Sequence, residues 1–462
     1  FDTVGTASEI YNASGGISEF AMESYFGRIN LSYLDRYILN VTMRSDGSSR
    51  FAPSDRYGYF PSVSLGWNVS KESFWKFPQT DLKFRLSYGK TGNQDGIGNY
   101  AWQPLMSGGI NYGNNSGMAV TSMGNNKLTW ETADQYDFGF DLGFWNGKLN
   151  MIADIYLKNT NNLLYSMPLH GTSGFTSITS NIGSMRNYGV EFSINGHLNI
   201  GKVNWTSSFN ISHNKNKLTK LLGDDLLPIG SNRALKVGEE LGAFYLFQMD
   251  GLYQYDGEVP QPLYDLGVRA GDVKYHDADN NGIINDNDRV LTGSSNPDFF
   301  GGWNNTFKYK GFQLDVFFTY MYGNDVYAEW AVTATRPGYR MAITEDVAKN
   351  RWTAPGSSDK YPRAVNTLCG HNSKNSTRFL EDGSFIRLRS LTFSYTFPQV
   401  MLQKICLKGL RLYVQGDNLL LFSKYSGWDP EVSKNMDPQY FGVDLYGVPP
   451  SRSVNFGINL SF

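Results

Sequence analysis

Residues of alternating character recur along this chain in stretches of roughly ten, and that alternation limits the fold more than any other feature of the sequence. Between Ser451 and Phe462, the residues Val454, Phe456, Ile458, Leu460 and Phe462 are apolar, whereas Ser453, Asn455, Gly457, Asn459 and Ser461 are small or polar. Successive side chains of a strand point to opposite faces, so this segment reads as a strand with one apolar and one polar face. The last residues of a soluble domain are usually frayed and polar. A chain that stops on Phe462, on the apolar face of an unbroken strand, is expected to end with the strand that closes a barrel.

The remaining segments follow the same rule. After a Gly-, Ser- and Thr-rich stretch over 1–23, Tyr25, Gly27, Ile29, Leu31 and Tyr33 alternate with Ser24, Arg28, Asn30 and Ser32. A two-residue turn at Asp35-Arg36 leads into Tyr37, Leu39, Val41 and Met43, which predicts a hairpin. Tyr59, Val63, Leu65, Trp67 and Val69 make the next strand, then Leu82, Phe84, Leu86 and Tyr88. Tyr136, Phe138, Phe140, Leu142 and Phe144 turn at Asn146-Gly147 into Leu149, Met151, Ala153, Ile155 and Leu157; Asn-Gly is the strongest short hairpin signal. Tyr188, Val190, Phe192 and Ile194 turn at Gly201-Lys202 into Val203, Trp205, Phe209 and Ile211. Trp303, Phe307 and Tyr309 turn at Lys310-Gly311 into Phe312, Leu314, Val316, Phe318 and Tyr320. Between Phe385 and Phe397 the apolar parity switches, from Ile386 and Leu388 to Leu391, Phe393, Tyr395 and Phe397. One extra residue in a strand produces such a switch, so a β-bulge is predicted near Ser390. Leu410, Leu412 and Val414 make the penultimate strand.

Thirteen strands result, each about as long as a tilted strand must be to cross a bilayer. Their connections alternate. Short ones fall at 34–36, 70–80, 145–147, 199–202, around 310 and at 398–408; long ones fall at 47–57, 91–132, 159–186, 215–298, 323–384 and 418–450. That one-sidedness characterises an outer-membrane barrel of a Gram-negative cell, with the short turns periplasmic and the long loops extracellular. Aromatics near strand ends, among them Tyr25 and Tyr33, Tyr59 and Trp67, Tyr136 and Phe144, suit two interfacial girdles.

Composition agrees: aromatics reach 15% and glycines 49, charged residues only 18%, and mean hydropathy is −0.38. The longest apolar run, Leu419 to Phe422, is far too short to span a membrane as a helix. A net charge of −2 without a basic block argues against nucleic acid. Cys369 and Cys406 form neither a disulfide framework nor a zinc spacing. A soluble β-sandwich or propeller also alternates, but with shorter strands and less one-sided turns. The expected fold class is therefore all-β, a transmembrane antiparallel β-barrel. Because such a barrel closes with an even number of strands, residues 1–462 are expected to be the C-terminal part of a larger one.

Several segments resemble the SusC/RagA-type family of TonB-dependent outer-membrane transporters. They are Arg44-Ser45-Asp46-Gly47-Ser48-Ser49-Arg50-Phe51, Tyr88-Gly89-Lys90-Thr91-Gly92-Asn93, and Gly174-Phe175-Thr176 with Asn181-Ile182-Gly183 before Gly189-Val190-Glu191. Asp382-Gly383-Ser384-Phe385-Ile386-Arg387, Asp417-Asn418-Leu419 and Tyr425-Ser426-Gly427-Trp428-Asp429-Pro430-Glu431 follow in family order. The resemblance implies a barrel of about 22 strands around a plug, of which thirteen here leave about nine upstream. It also implies that the plug, the TonB box and any signal peptide lie outside this sequence, and that a SusD-like surface lipoprotein closes the long-loop face.

One constellation carries identifiable chemistry. Asp277, Asp279, Asn281, Asn285 and Asp288 occupy positions 1, 3, 5, 9 and 12 of a twelve-residue loop, with Gly282 at 6. Alternate oxygen donors converge on one centre, Gly permits the sharp turn, and Ile283 would add its backbone carbonyl, so a structural calcium ion is expected. Two departures stand against it: position 12 is Asp rather than the longer bidentate Glu, and no helical pattern flanks the loop. The alternative is a solvated acidic turn. No Gly-x-Ser-x-Gly, His-Glu-x-x-His or P-loop pattern occurs, the five histidines are scattered, and no enzyme is expected. Arg387 and Arg389 could line the lumen; Trp330, Tyr339, Trp352 and Trp428 could stack on sugars or press on a partner. Three functional readings follow. The first is TonB-dependent import of a large nutrient, a glycan or a peptide, with the SusD-like lipoprotein. The second is a passive porin, and the third a surface receptor or adhesin.

Overall fold

The computed structural model describes residues 17–462 apart from 114, 222–225, 339–340, 366–369, 403–406 and 437–439. Tyr339, Cys369 and Cys406 therefore lie outside the described residues. Among these, thirteen strands form one antiparallel sheet in which each strand neighbours the next along the chain. They are β1 (Met22–Tyr33), β2 (Tyr37–Ser48), β3 (Tyr57–Asn68), β4 (Thr80–Asn93), β5 (Glu131–Phe144), β6 (Leu149–Pro168), β7 (Ser177–Ile200), β8 (Val203–Lys220), β9 (Phe299–Tyr309), β10 (Phe312–Tyr322), β11 (Phe385–Thr396), β12 (Gly409–Ser423) and β13 (Ser453–Ser461). Two compact units divide the chain: Phe1–Leu65, Ser87–Tyr136 and Lys158–Met185 make one; Gly66–Leu86, Asp137–Leu157 and Arg186–Phe462 make the other.

Turn chemistry explains the hairpins. Between β9 and β10 only Lys310 and Gly311 intervene, both at positive φ (45° and 90°), the geometry that matches the twist of flanking strands. After β5 the turn is four residues, 145–148, with Trp145 (53°), Asn146 (57°) and Gly147 (80°) all at positive φ. The turn expected at Asp35-Arg36 is one residue longer: Tyr33 pairs with Tyr37, Leu34 joins the turn, and Leu34 and Asp35 take the left-handed conformation.

The bulge falls one residue from its expected place. Phe317 pairs with Ser390 and Phe318 with Leu388, which leaves Arg389 as the extra residue. The same shift recurs on the other side of β11, where Leu388 faces Leu420 and Ser390 faces Asp417. Asn418, at φ 52°, absorbs the mismatch, and its Oδ1 accepts a hydrogen bond from Arg389 Nη1 at 3.0 Å.

On the strands the apolar side chains are the exposed ones. Val454, Phe456, Ile458, Leu460 and Phe462 are between 50% and 82% exposed. In water such a face would forgo the burial that stabilises a fold, roughly 25 cal/mol per Å²; against hydrocarbon it costs nothing. The opposite face is polar and interlocked. Arg85 Nη2 lies 3.0 Å from Asp141 Oδ1 and 2.8 Å from Asp154 Oδ1. A Cβ at Gly139 would sit 2.1 Å from that Asp154 oxygen, so the glycine leaves room for the ion pairs. Gly457, opposite Tyr413, similarly leaves space for the phenol ring, only 2.0 Å from where its Cβ would be.

The long connections carry structure that alternation does not reveal. The loop expected at 159–186 is mostly strand. β6 and β7 run on to Pro168 and from Ser177, so only 169–176 connects them. The run Asn159-Thr160-Asn161-Asn162 breaks the apolar alternation, but its backbone is held: Asn181 Nδ2 donates to the Asn162 carbonyl at 2.8 Å, and Leu169 N–H to Thr176 at 2.9 Å. Residues 215–298 hold a four-stranded sheet (Leu226–Ile229, Arg233–Lys236, Ala243–Phe247, Arg289–Ser294) and a pair (Met249–Leu252, Val273–Tyr275). Loops 323–384 and 418–450 are tied together, since Asp325–Ala328 pairs antiparallel with Leu380–Asp382 and parallel with Val443–Asp444.

Buried apolar residues gather in these connections. Phe244, Leu246, Val326, Tyr327, Phe379 and Val443 form one cluster, Phe247, Leu252, Val268, Val273 and Tyr275 a second. Phe51, Phe60, Ile97, Leu128 and Trp130 form a third in the first unit. Each fully buried side chain of this size contributes about 1.5–3 kcal/mol, so these loops are folded bodies.

Candidate functional site

The acidic loop is separated from the strand Val273–Tyr275 by His276 alone and ends in a 3-10 turn, Asp286–Asp288, that leads directly into Arg289–Ser294. Asn280 (φ 55°) and Gly282 (77°) reverse the chain. This folding brings one carboxylate oxygen each of Asp277, Asp279 and Asp288 within 4.8 Å of one another. Each is oriented by backbone amides. Gly282 N–H donates to Asp277 Oδ2 at 2.7 Å, Asn281 N–H to Asp279 Oδ1 at 3.2 Å, and Ala278 and Asn285 N–H to the two Asp288 oxygens at 2.9 and 2.8 Å. The Gly282 bond chiefly holds the Asp277 carboxyl below the usual carboxylate range.

The neutral donors are less committed to the centre. Asn281 Nδ2 donates to Asp279, and its Oδ1 accepts from Ile283 N–H at 2.8 Å. The Ile283 side chain is half exposed. Asn285 caps the 3-10 turn by accepting from Asn287 N–H. Three hard anionic oxygens at that spacing fit a divalent cation, which would offset their mutual repulsion. Beside them a cavity of about 220 Å³ is lined by Asp250, Tyr253, Lys274, His276 and Asp277. His276 Nδ1 lies 3.4 Å from Asp250 Oδ2 rather than among the three aspartates.

Other candidate residues turn out to be structural. Arg387 does not face the lumen as a free charge. It is buried, with Nη2 2.6 Å from Asp429 Oδ1 and 3.0 Å from Glu431 Oε2. This pair joins two of the motifs that carry the family resemblance. Trp330 packs on the first loop cluster and donates to Tyr425 Oη at 3.1 Å; Trp352 packs on the second and donates to Gln254 Oε1 at 3.1 Å. Their size favours burial over display. Trp428 is 80% exposed and keeps its availability to a partner.

Sequence reading missed groups paired across long separations. Asp272, wholly buried, receives Arg363 through two bonds of 2.8 and 2.9 Å and Asn372 Nδ2 at 2.8 Å. Arg233 donates to the carbonyls of Gly242 and Phe441, and burial lowers its pKa to about 10. His371 donates through Nε2 to the Val273 carbonyl at 2.7 Å, and burial lowers its pKa. In the first unit a cavity of about 480 Å³ is lined by Arg44, Asp46 and residues 89–95, which include two more motif segments.

Apolar strand faces turned outward, a polar inner network and one-sided loops define an outer-membrane β-barrel. Residues 2–419 match the family model described as TonB dependent receptor-like, beta-barrel, and the chain belongs to that family. It is 34% identical to TonB-dependent receptor P3 of Formosa agariphila, over 97% of this chain and 46% of the relative. With TonB-dependent receptor SusC of Bacteroides thetaiotaomicron it shares 31% identity over 95% of this chain and 43% of the relative. In structure it is similar to the RagAB peptide transporter, with a TM-score of 0.86 and 26% identity, over all of this chain and 50% of that one. The chain thus spans less than half the length of the curated relatives it matches. It is of the SusC/RagA type, an outer-membrane protein in a family of transporters rather than enzymes.

Proposed function

We propose that this chain is the C-terminal part of the barrel of an importer that takes a large nutrient, a glycan or a peptide, across the outer membrane. A TonB complex supplies the energy through a plug outside this sequence, and a SusD-like surface lipoprotein covers the long-loop face. The observation that carries this reading is the 31% identity with SusC along 95% of the chain, together with full coverage by the RagAB fold. Loops with their own cores suit a rigid rim against which a lid can seat; porins need only an open mouth. The test is uptake of fluorescent oligosaccharides and peptides by cells carrying the full-length protein, with and without proton-motive force. Uptake that persists after the force is collapsed would return the porin reading to the front, and binding without uptake would favour a receptor or adhesin.

Within the same rim, the loop 277–288 holds a calcium ion that braces it, with Asp277, Asp279 and Asp288 as anionic ligands and Asn281 and the Ile283 carbonyl completing the shell. Calcium titration of the full-length protein, before and after Asp288→Asn, tests this: the loss of a saturable heat in the variant supports the site. Protease cleavage within 277–288 that is indifferent to a chelator speaks against it.

A further inference from the structure

The charges of the second unit are partitioned between the two ends of its strands. Its five short connections, 69–79, 145–148, 201–202, 310–311 and 397–408, all join an odd-numbered to an even-numbered strand and so lie at one end of an antiparallel sheet. They carry Lys71, Lys76, Lys148, Lys202, Lys310, Lys404 and Lys408 against one acidic residue, Glu72. The long connections 221–298, 323–384 and 424–452, at the other end, carry 25 Asp and Glu against 16 Lys and Arg. Lys404 lies outside the described residues; the other six lysines are exposed. Among the described residues no carboxylate stands within ion-pair distance of them.

Each of these connections also contains or adjoins an exposed apolar residue. Phe74 and Phe77 are 60% and 62% exposed, and Trp75 packs edge-on against Phe77 at 5.3 Å. Trp145 and Ile200, exposed, lie three and two positions before Lys148 and Lys202 in the chain, and Val400 and Met401 stand exposed on the short helix Gln399–Leu402. Lys310 lies 5.4 Å from the Tyr309 ring. An ammonium on a flexible stem with a ring at its foot places charge at headgroup depth while the ring sits at the acyl boundary. Exposed apolar groups and unpaired cations, repeated at every turn, fit a surface that is itself apolar below and anionic above.

We propose that the short-turn rim of the second unit is a collar that selects anionic phospholipid, its lysines meeting the phosphodiesters of the adjacent leaflet. Each lysine near an anionic surface is worth about a fivefold preference, and salt screens it.

The experiment uses the full-length protein in nanodiscs of phosphatidylethanolamine with one-quarter phosphatidylglycerol, followed by native mass spectrometry of the lipids it retains. The expected result is at least about fivefold enrichment of phosphatidylglycerol, lost in the variant with Lys71, Lys76, Lys148, Lys202, Lys310 and Lys408 all changed to Gln. Enrichment is retained in a control with Lys236→Gln and Lys424→Gln on the long-loop end. Folding of each variant is checked by its heat-dependent shift in gel mobility. Equal retention of both lipids by the wild type, or enrichment that survives in the folded six-lysine variant, overturns the proposal. So does enrichment abolished by millimolar inorganic phosphate at constant ionic strength, which would mark a site for the free anion instead.

Discussion

Replacing Asp429 by Ala removes one partner of a buried charge. Arg387 and Asp429 are 4% and 5% exposed and 2.6 Å apart, and the guanidinium also lies over the Phe385 ring at 5.4 Å. Breaking such a pair from one side typically costs about 3–5 kcal/mol, because the remaining charge is stranded away from water. Glu431 stays at 3.0 Å and is 39% exposed, so the low end, about 3 kcal/mol, is expected. The pair anchors the segment that carries Gly442 and Val443, whose ladder includes Tyr327 N–H to Gly442 O at 2.8 Å. The loss therefore shows as local opening. Amide hydrogen exchange at Tyr327 and Gly442 should accelerate by about 150-fold while strand amides of β12 and β13 are unchanged. Arg387 Nε has no acceptor among the described residues, so exchanging both partners for Met and Leu should recover most of the loss. Exchange within threefold of wild type in Asp429→Ala would refute the claim that this ion pair holds the loops.

Gly457→Val should push a Cβ into the Tyr413 ring and cost about 1–3 kcal/mol, read as a smaller folded fraction on gels, with Tyr413→Ala restoring it. Trp330→Ala should destabilise the loop body by about 3 kcal/mol in denaturant melts followed by fluorescence, whereas Trp428→Ala should stay within about 0.5 kcal/mol. The Asp277 carboxyl has a folded-state pKa below its ordinary value. Its contribution is thus fully present above the ordinary carboxylate range, near pH 4, and is lost as pH falls further. Protease resistance of 277–288 should hold from pH 7 to about 5 and fail only below about 4; failure near pH 6 would count against the carboxylate as the cause.

The strands were legible because lipid and lumen impose period-two alternation on every crossing, and β11 shows how sensitive that signal is: a single parity switch located Arg389 to within one residue. The turns were legible where Asn-Gly or Lys-Gly supplied positive φ, and misjudged at Leu34, a residue type that announces no left-handed turn. The loop bodies were not legible. Phe244, Tyr327, Phe379 and Val443 pack together from segments up to about two hundred residues apart, and their strands are only two to five residues long. Periodicity needs longer runs than that. Trp330 and Trp352 were taken for display residues for the same reason. The acidic loop was readable in its spacing, because its oxygens converge through local backbone amides; Arg387 was not, because Asp429 lies 42 positions away.

The most direct test of the account is the denatured mass of the native protein extracted from outer membranes, with identification of what co-purifies. A chain far heavier than 51.9 kDa, accompanied by a surface lipoprotein, is the predicted result. A chain of that mass, inserted in the membrane without a partner, would contradict it.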